Sequence, residues 1–189
     1  MRLVFLLEEP SARELLRGLV PRLAGDHLVA TYLVFEGKQD LERQLVRKLR
    51  GWKAPASVFV VLRDQDAGDC ARVKRDLSEL VITSGREAET LVRVACRDLE
   101  SWIAGDLRAV AAAFGEPAIA DHAGKARFRD PDSLVRPVDA LRTLVPEYQK
   151  IDGARRVGPH LDPERNTSRS FAAFCTGLRR IVGTHTNRH

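Results

Sequence analysis

Cysteine is scarce in this chain: Cys70, Cys96 and Cys175 are the only three in 189 residues, and they lie far apart. An odd, widely spaced set excludes a disulfide framework and a zinc cluster, and it predicts buried free thiols in a cytoplasmic protein. Long apolar runs are missing too. None approaches the roughly 20 residues that cross a bilayer, so no membrane association is expected. The opening MRLVFLLEEP meets Glu8 and Glu9 directly after its short apolar stretch, which reads as a first strand and not as a secretion signal. No glycine-rich loop ends in Lys-Ser or Lys-Thr, which excludes nucleotide hydrolysis through a phosphate loop of that kind. Internal repeats and low-complexity tracts are absent, and the length suits one domain with a proper core.

Charge is plentiful but unevenly placed. The formal net charge is +5, and residues 123–189 hold 13 Lys/Arg against 7 Asp/Glu. A neutral-to-acidic front with a basic tail suits a polyanionic partner, although a solvated surface produces the same imbalance.

Strand and helix patterns alternate through the first 115 residues. LVFLL (3–7) reads as a buried strand. Ser11 and Glu14 form an S-x-x-E capping box ahead of a helical face made by Leu15, Leu16, Leu19, Val20 and Leu23, with Pro21 expected to bend or shorten it. A second strand is expected over 27–35, and Leu41, Leu45, Val46 and Leu49 mark the next helix. SVFVVL (57–62) is continuous and β-rich, as a strand covered on both faces should be. Cys70, Val73, Leu77, Leu80 and Val81 return to helical spacing before Gly85. A strand over 91–96 then leads into one long helix from Leu99 to Phe114, stopped by Gly115. This order implies a three-layer α/β sandwich with a mainly parallel sheet. The core would span 1–122. Residues 123–189 would form a basic, loop-rich and helical extension on the same domain, with a short helix at 137–145, a loop over 150–170, a final helix near 168–183 and a frayed tail from Gly183. Trp52 and Trp102 are expected as core anchors.

Ligands of a parallel sheet gather at the carboxyl ends of its strands. Acid stands at three of them: Glu8 and Glu9, Asp64 and Asp66, Asp98 and Glu100. Side chains two apart on an extended chain share a face, so Asp64 and Asp66 are expected to point into one cleft. Such carboxylates suit a hard divalent cation, Mg2+ or Mn2+, and a pair of such ions can drive phosphodiester cleavage. For Asp69 a helix N-cap is the better reading.

These residues carry a resemblance. LLEEPSARELL (6–16) and LRDQDAGDC (62–70) resemble the first and second motifs of the Toprim domain, found in topoisomerases, primases and overcoming-lysogenization-defect nucleases. FLLEEPSA, FEGKQDLE, LRDQDAGDC, VACRDLESWIAGD, GKARFRDPD and YQKIDGARRVGPHLD together look like the DUF4276 family of small bacterial Toprim-like proteins, over nearly the whole chain. The resemblance implies a Toprim-like, Rossmann-like fold. It gives Glu8 the part of general acid/base or metal ligand, Asp64 and Asp66 the metal-binding pair, and Glu100 the later acidic position of the nuclease branch. Glu9 stands where the family pattern has glycine. Glu36, in FEGKQD, is a rival for the first glutamate, ranked below Glu8. Tyr32 and Tyr148 are the only tyrosines, and neither has a setting for a covalent nucleophile, so water is the expected nucleophile.

The resemblance further implies a nuclease component of bacterial antiphage defence acting with an ABC- or SMC-like ATPase, on DNA more than RNA, and possible self-association. Lys125 is a candidate for charge neutralisation in the transition state. Arg127, Arg129, Lys150, Arg155, Arg156 and His160 are candidates for holding phosphate oxygens. The competing expectation is a non-catalytic binding or effector module whose acidic cleft holds a structural cation or a partner.

Overall fold

The computed structural model describes residues 1–25 and 28–186. Its centre is a four-stranded, all-parallel sheet in the order β2-β1-β3-β4. The strands are β1 (Arg2–Leu7), β2 (Val29–Val34), β3 (Ser57–Asp64) and β4 (Thr90–Ala95). The crossovers between them are α1 (Pro10–Ala24), α2 (Lys38–Gly51) and α3 (Cys70–Ser84). After β4 come α4 (Glu100–Ala104), α5 (Leu107–Phe114), α6 (Pro137–Arg142), α7 (Lys150–Val157) and α8 (Arg169–Thr186). The α/β, Rossmann-like three-layer architecture expected from the sequence is the one observed. Among the described residues, no helix is long and apolar enough to cross a membrane.

The pleat sorts side chains onto the two faces. Leu3, Phe5 and Leu7 of β1, Val58, Val60 and Leu62 of β3, and Leu91 and Ala95 of β4 join one core with α1, α4, α5, α7 and α8. Val4, Leu6, Phe59, Val61, Val92 and Val94 join the other with Leu41, Leu45 and Leu49 of α2 and Val73, Leu77 and Val81 of α3. The larger core therefore includes the C-terminal elements: Phe171 and Phe174 of α8 pack on the fully buried Trp102. Trp52 is half-buried, edge-on to Phe59, with its indole N–H donating to Ser57.

Several local expectations need correction. Ser11 and Glu14 form no capping box. Glu9 is the N-cap of α1 in an extended conformation and Pro10 occupies the first turn, so the helix begins earlier than a Ser11 cap allows. Ser11 instead donates to Glu9 at 2.7 Å, and Glu14 pairs with Arg13 and Arg155. Helix α1 runs through Pro21 to Ala24. The single helix expected over 99–114 is two. Asp106 caps α5 by accepting the Ala109 N–H and receives both guanidinium arms of Arg165 at 2.8 Å, a local alternative that the apolar period cannot reveal. The loop expected over 150–170 opens with α7. Its glycines are contact points, not breakers: a Cβ on Gly153 would collide with the Tyr148 ring and one on Gly158 with the backbone of Leu15. Cys70 and Cys96 are half-exposed, not buried, with their sulfurs 3.6 Å apart; Cys175 is buried as expected. The expected strand start at His27 and the tail residues 187–189 lie outside the described residues, while Gly183 to Thr186 continue α8.

Candidate acidic metal centre

Three carboxylates meet at the carboxyl end of the sheet. Glu9 follows β1, Asp64 ends β3, and Glu100 opens α4 after β4. Among the described residues, a ligand oxygen from each lies within 4.8 Å of the other two, a grouping that could hold a metal ion. The β1–β3 register pairs Leu7 with Leu62, and continuing it by two residues sets Glu9 beside Asp64. Glu9 keeps extended dihedrals (φ −139°, ψ 159°), so it follows Leu3, Phe5 and Leu7 onto the α1/α4/α7 face. Asp64 reaches the same face by following Val60 and Leu62.

The centre is dry for its charge. Glu100 is completely buried, and among the described residues neither of its carboxylate oxygens has a hydrogen-bond partner. Lys150, the first residue of α7, places its ammonium 3.0 and 3.1 Å from the Glu9 oxygens and 3.5 Å from Glu100. Burial, offset in part by Lys150, lifts the Glu100 carboxyl to about 7. Asp64 is raised well above the usual carboxylate range by burial and then by the negative charges of Glu9 and Glu100. Lys150 holds its proton more tightly than usual: burial works against the charge, and the fields of Glu100 and Glu9 outweigh it. The Tyr148 hydroxyl is buried and unpartnered among the described residues; burial and the negative charges of Glu100 and Glu9 push its ionisation upward. An oxygen-only donor set with two orphaned buried oxygens fits a hard divalent cation.

This set is not the one expected from the sequence. Glu8 leaves the centre because the pleat turns it, like Leu6, to the opposite face from Glu9. It accepts the Asp64 N–H at 3.1 Å and lies 3.7 Å from Arg63. Burial raises its carboxyl. Asp66 does not share a cleft with Asp64, because at φ 56° the chain is no longer extended and the two-residue rule lapses. Its carboxylate pairs with Lys38 at 2.9 Å. Glu36 is exposed, and Asp69 caps α3 by accepting the Arg72 N–H at 2.7 Å.

Of the basic candidates, Lys150 alone joins the centre, as counter-ion to the carboxylates. Lys125 lies against the His122 ring, Arg127 bonds Thr143, and Arg129 bonds the Gly124 carbonyl. Arg155 is taken by Glu14 and Asp152. Arg156 donates to the Ala113 carbonyl and stacks on Phe114 at 4.0 Å. His160 is exposed. Glu9, and not Glu8, is the glutamate that joins Asp64 and Glu100, and the sequence does not single it out as a ligand. Its parity with Leu3, Phe5 and Leu7 was a usable signal, but only register and facing show that Asp64 has the same parity relation.

A parallel sheet covered on both faces, with three carboxylates and a lysine at its carboxyl edge, defines a Rossmann-like α/β protein with a centre that could hold a metal ion. Within that class the chain belongs to the family described as Domain of unknown function (DUF4276), whose sequence profile matches residues 7–179. No curated protein and no solved structure matches the chain.

Proposed function

We propose that this chain is a Mg2+- or Mn2+-dependent phosphodiesterase that hydrolyses nucleic acid, with Glu9, Asp64 and Glu100 as the metal ligands. One observation carries the reading: Glu100 is wholly buried with neither oxygen hydrogen-bonded among the described residues, beside two further carboxylates and a lysine whose ammonium stands 3.5 Å away. Ionising all three carboxylates against a single ammonium would leave a net negative centre, which is why burial raises Asp64 and Glu100 in the metal-free fold, and a divalent cation would offset that charge. When bound there, a divalent ion would supply Lewis acidity toward a phosphoryl oxygen and an activated water. Lys150, firmly protonated and half-buried, can stabilise negative charge that develops on phosphate oxygens. Glu8 braces the end of β3 through the Asp64 N–H and so fixes the direction of the Asp64 carboxylate. Full burial removes Tyr148 from the role of nucleophile and leaves that role to water.

The resemblance to Toprim nucleases supports DNA over RNA as substrate. It also supports an ABC- or SMC-like ATPase partner in bacterial antiphage defence and self-association of the chain. A non-catalytic reading draws on Lys150, whose ion pairs also tie α7 to the sheet as a structural network would. Mn2+ titration followed by calorimetry, together with nicking of supercoiled DNA, tests the proposal. Wild type should bind Mn2+ and nick DNA, and Asp64→Asn should do neither while keeping its fold. Absence of Mn2+ binding to wild type would overturn it.

A further inference from the structure

A second feature lies beside the acidic centre. A cavity of about 590 Å3 is lined by α3, α8 and β4, which forms one edge of the sheet. Its wall carries Lys74 from α3, Arg93 from β4, Arg97 just beyond β4, and Arg169 from α8. The acids on the same wall are already engaged. Both Asp132 oxygens accept from Ser168 and Ser170, and Asp130 faces Arg169 at 3.7 Å. Lys74 has no hydrogen bond or ion pair from its ammonium among the described residues. Arg93 is half-buried and held by the carbonyls of Ala173 and Val92, with no carboxylate against it. Burial and the neighbouring Arg180 even lower its proton affinity, so the guanidinium sits in a field that lacks an anion.

The cavity adjoins the segment that follows Asp64 through one side-chain and one backbone hydrogen bond. Gln65, directly after Asp64, lines the cavity and accepts the Arg97 N–H at 3.0 Å, and the Asp66 N–H donates to the Arg97 carbonyl at 2.9 Å. Arg97 is held at φ 62°, a conformation costly for a residue with a side chain and kept only where surrounding contacts enforce it.

Building on the phosphodiesterase reading, we infer that this cleft along β4 seats the sugar-phosphate backbone of a polynucleotide, with Lys74, Arg97 and Arg169 on the phosphates, and delivers it to Glu9, Asp64 and Glu100. Arg155 and Arg156 of α7, candidates for holding phosphate, are committed within the fold to Glu14, Asp152 and the Ala113 carbonyl. A cavity with cations on both walls along the edge strand β4 suits an extended polyanion better than a compact ligand.

Fluorescence anisotropy with a labelled single-stranded oligonucleotide and its duplex, in EDTA so that no cleavage occurs, tests the assignment on the full chain. Lys74→Ala combined with Arg169→Ala should weaken binding roughly tenfold at low salt and flatten the salt dependence by about 0.7–0.9 in slope per lost contact. Arg97→Gln should add to that loss. Arg47→Ala combined with Arg136→Ala removes equal charge elsewhere and should leave affinity nearly unchanged. Mn2+ affinity, measured on the same proteins, should stay at the wild-type value. Equal affinity in cleft and control variants would overturn the cleft, as would tighter binding of a cyclic dinucleotide than of the oligonucleotide. Either result leaves the phosphodiesterase proposal standing, since that proposal is judged by Mn2+ binding and Mn2+-dependent nicking.

Discussion

Replacing Glu100 by glutamine removes a charge while keeping shape, and the structure fixes both the sign and the size of the effect. In the unfolded chain this carboxyl ionises at its ordinary value of 4.5, and in the fold it does so at about 7. A raised carboxyl favours the folded state while protonated. That advantage is complete below pH 4.5, declines as pH rises toward 7, and has become a constant penalty above it. At 1.36 kcal/mol per unit, the shift corresponds to about 3 kcal/mol. Glu100→Gln should therefore stabilise the metal-free protein by up to about 3 kcal/mol at pH 8, a rise in Tm of roughly 6–12 °C for a chain of this size. At pH 5 the gain should nearly vanish. Thermal unfolding in EDTA at the two pH values reads the difference directly. Saturating Mn2+ should reverse the order: wild type would gain about 4.1 kcal/mol at one thousand times its Kd and the variant far less. A Tm at pH 8 that falls, or a change of equal size at both pH values, would refute the view of Glu100 as a charge held at the expense of stability for an ion.

Other outcomes follow from the same geometry. Glu9→Gln should lower Mn2+ affinity at least tenfold by calorimetry, whereas Glu36→Gln should leave it unchanged, since Glu36 stands exposed and apart. Lys150→Met should destabilise the metal-free protein at pH 8 by several kcal/mol by leaving Glu9 and Glu100 without their counter-ion, and added Mn2+ should restore much of the loss in urea unfolding. Gly153→Ala should cost roughly 1–3 kcal/mol, because its Cβ would strike the Tyr148 ring, and should weaken Mn2+ binding by shifting Lys150 on the same helix. Asp69→Ala should cost about 1 kcal/mol through the lost α3 cap without altering Mn2+ affinity.

The places where reading and structure part company share a cause. Strands β1 and β3 were legible because five consecutive apolar residues between turn signals have few other uses in a chain this size, and β4 because Arg93 alone interrupts its apolar run. The gathering of acids at their carboxyl ends was legible because parallel topology dictates it. The membership of the centre was not. Glu8 and Glu9 differ by one position, and one position is one face of the sheet, so the choice rests on the pleat meeting the β1–β3 register. Asp66 was misplaced because its positive φ ends the strand period one residue past Gln65. Helix α7 was hidden by two glycines that look like breakers in isolation and become contact points once Tyr148 and Leu15 are beside them.

Local chemistry along the chain thus determined the elements, their parallel order, the chemical kind of the site and the end of the sheet that bears it, since hydrophobic period and charge at strand ends act between near neighbours. Tertiary structure decided which carboxylates face each other, that Lys150 rather than Lys125 stands against them, and that Lys74, Arg93, Arg97 and Arg169 meet at one cavity beside β4. Those outcomes depend on distances between residues as many as 141 positions apart, and Coulomb attraction and burial act on separation in space, which no local pattern encodes.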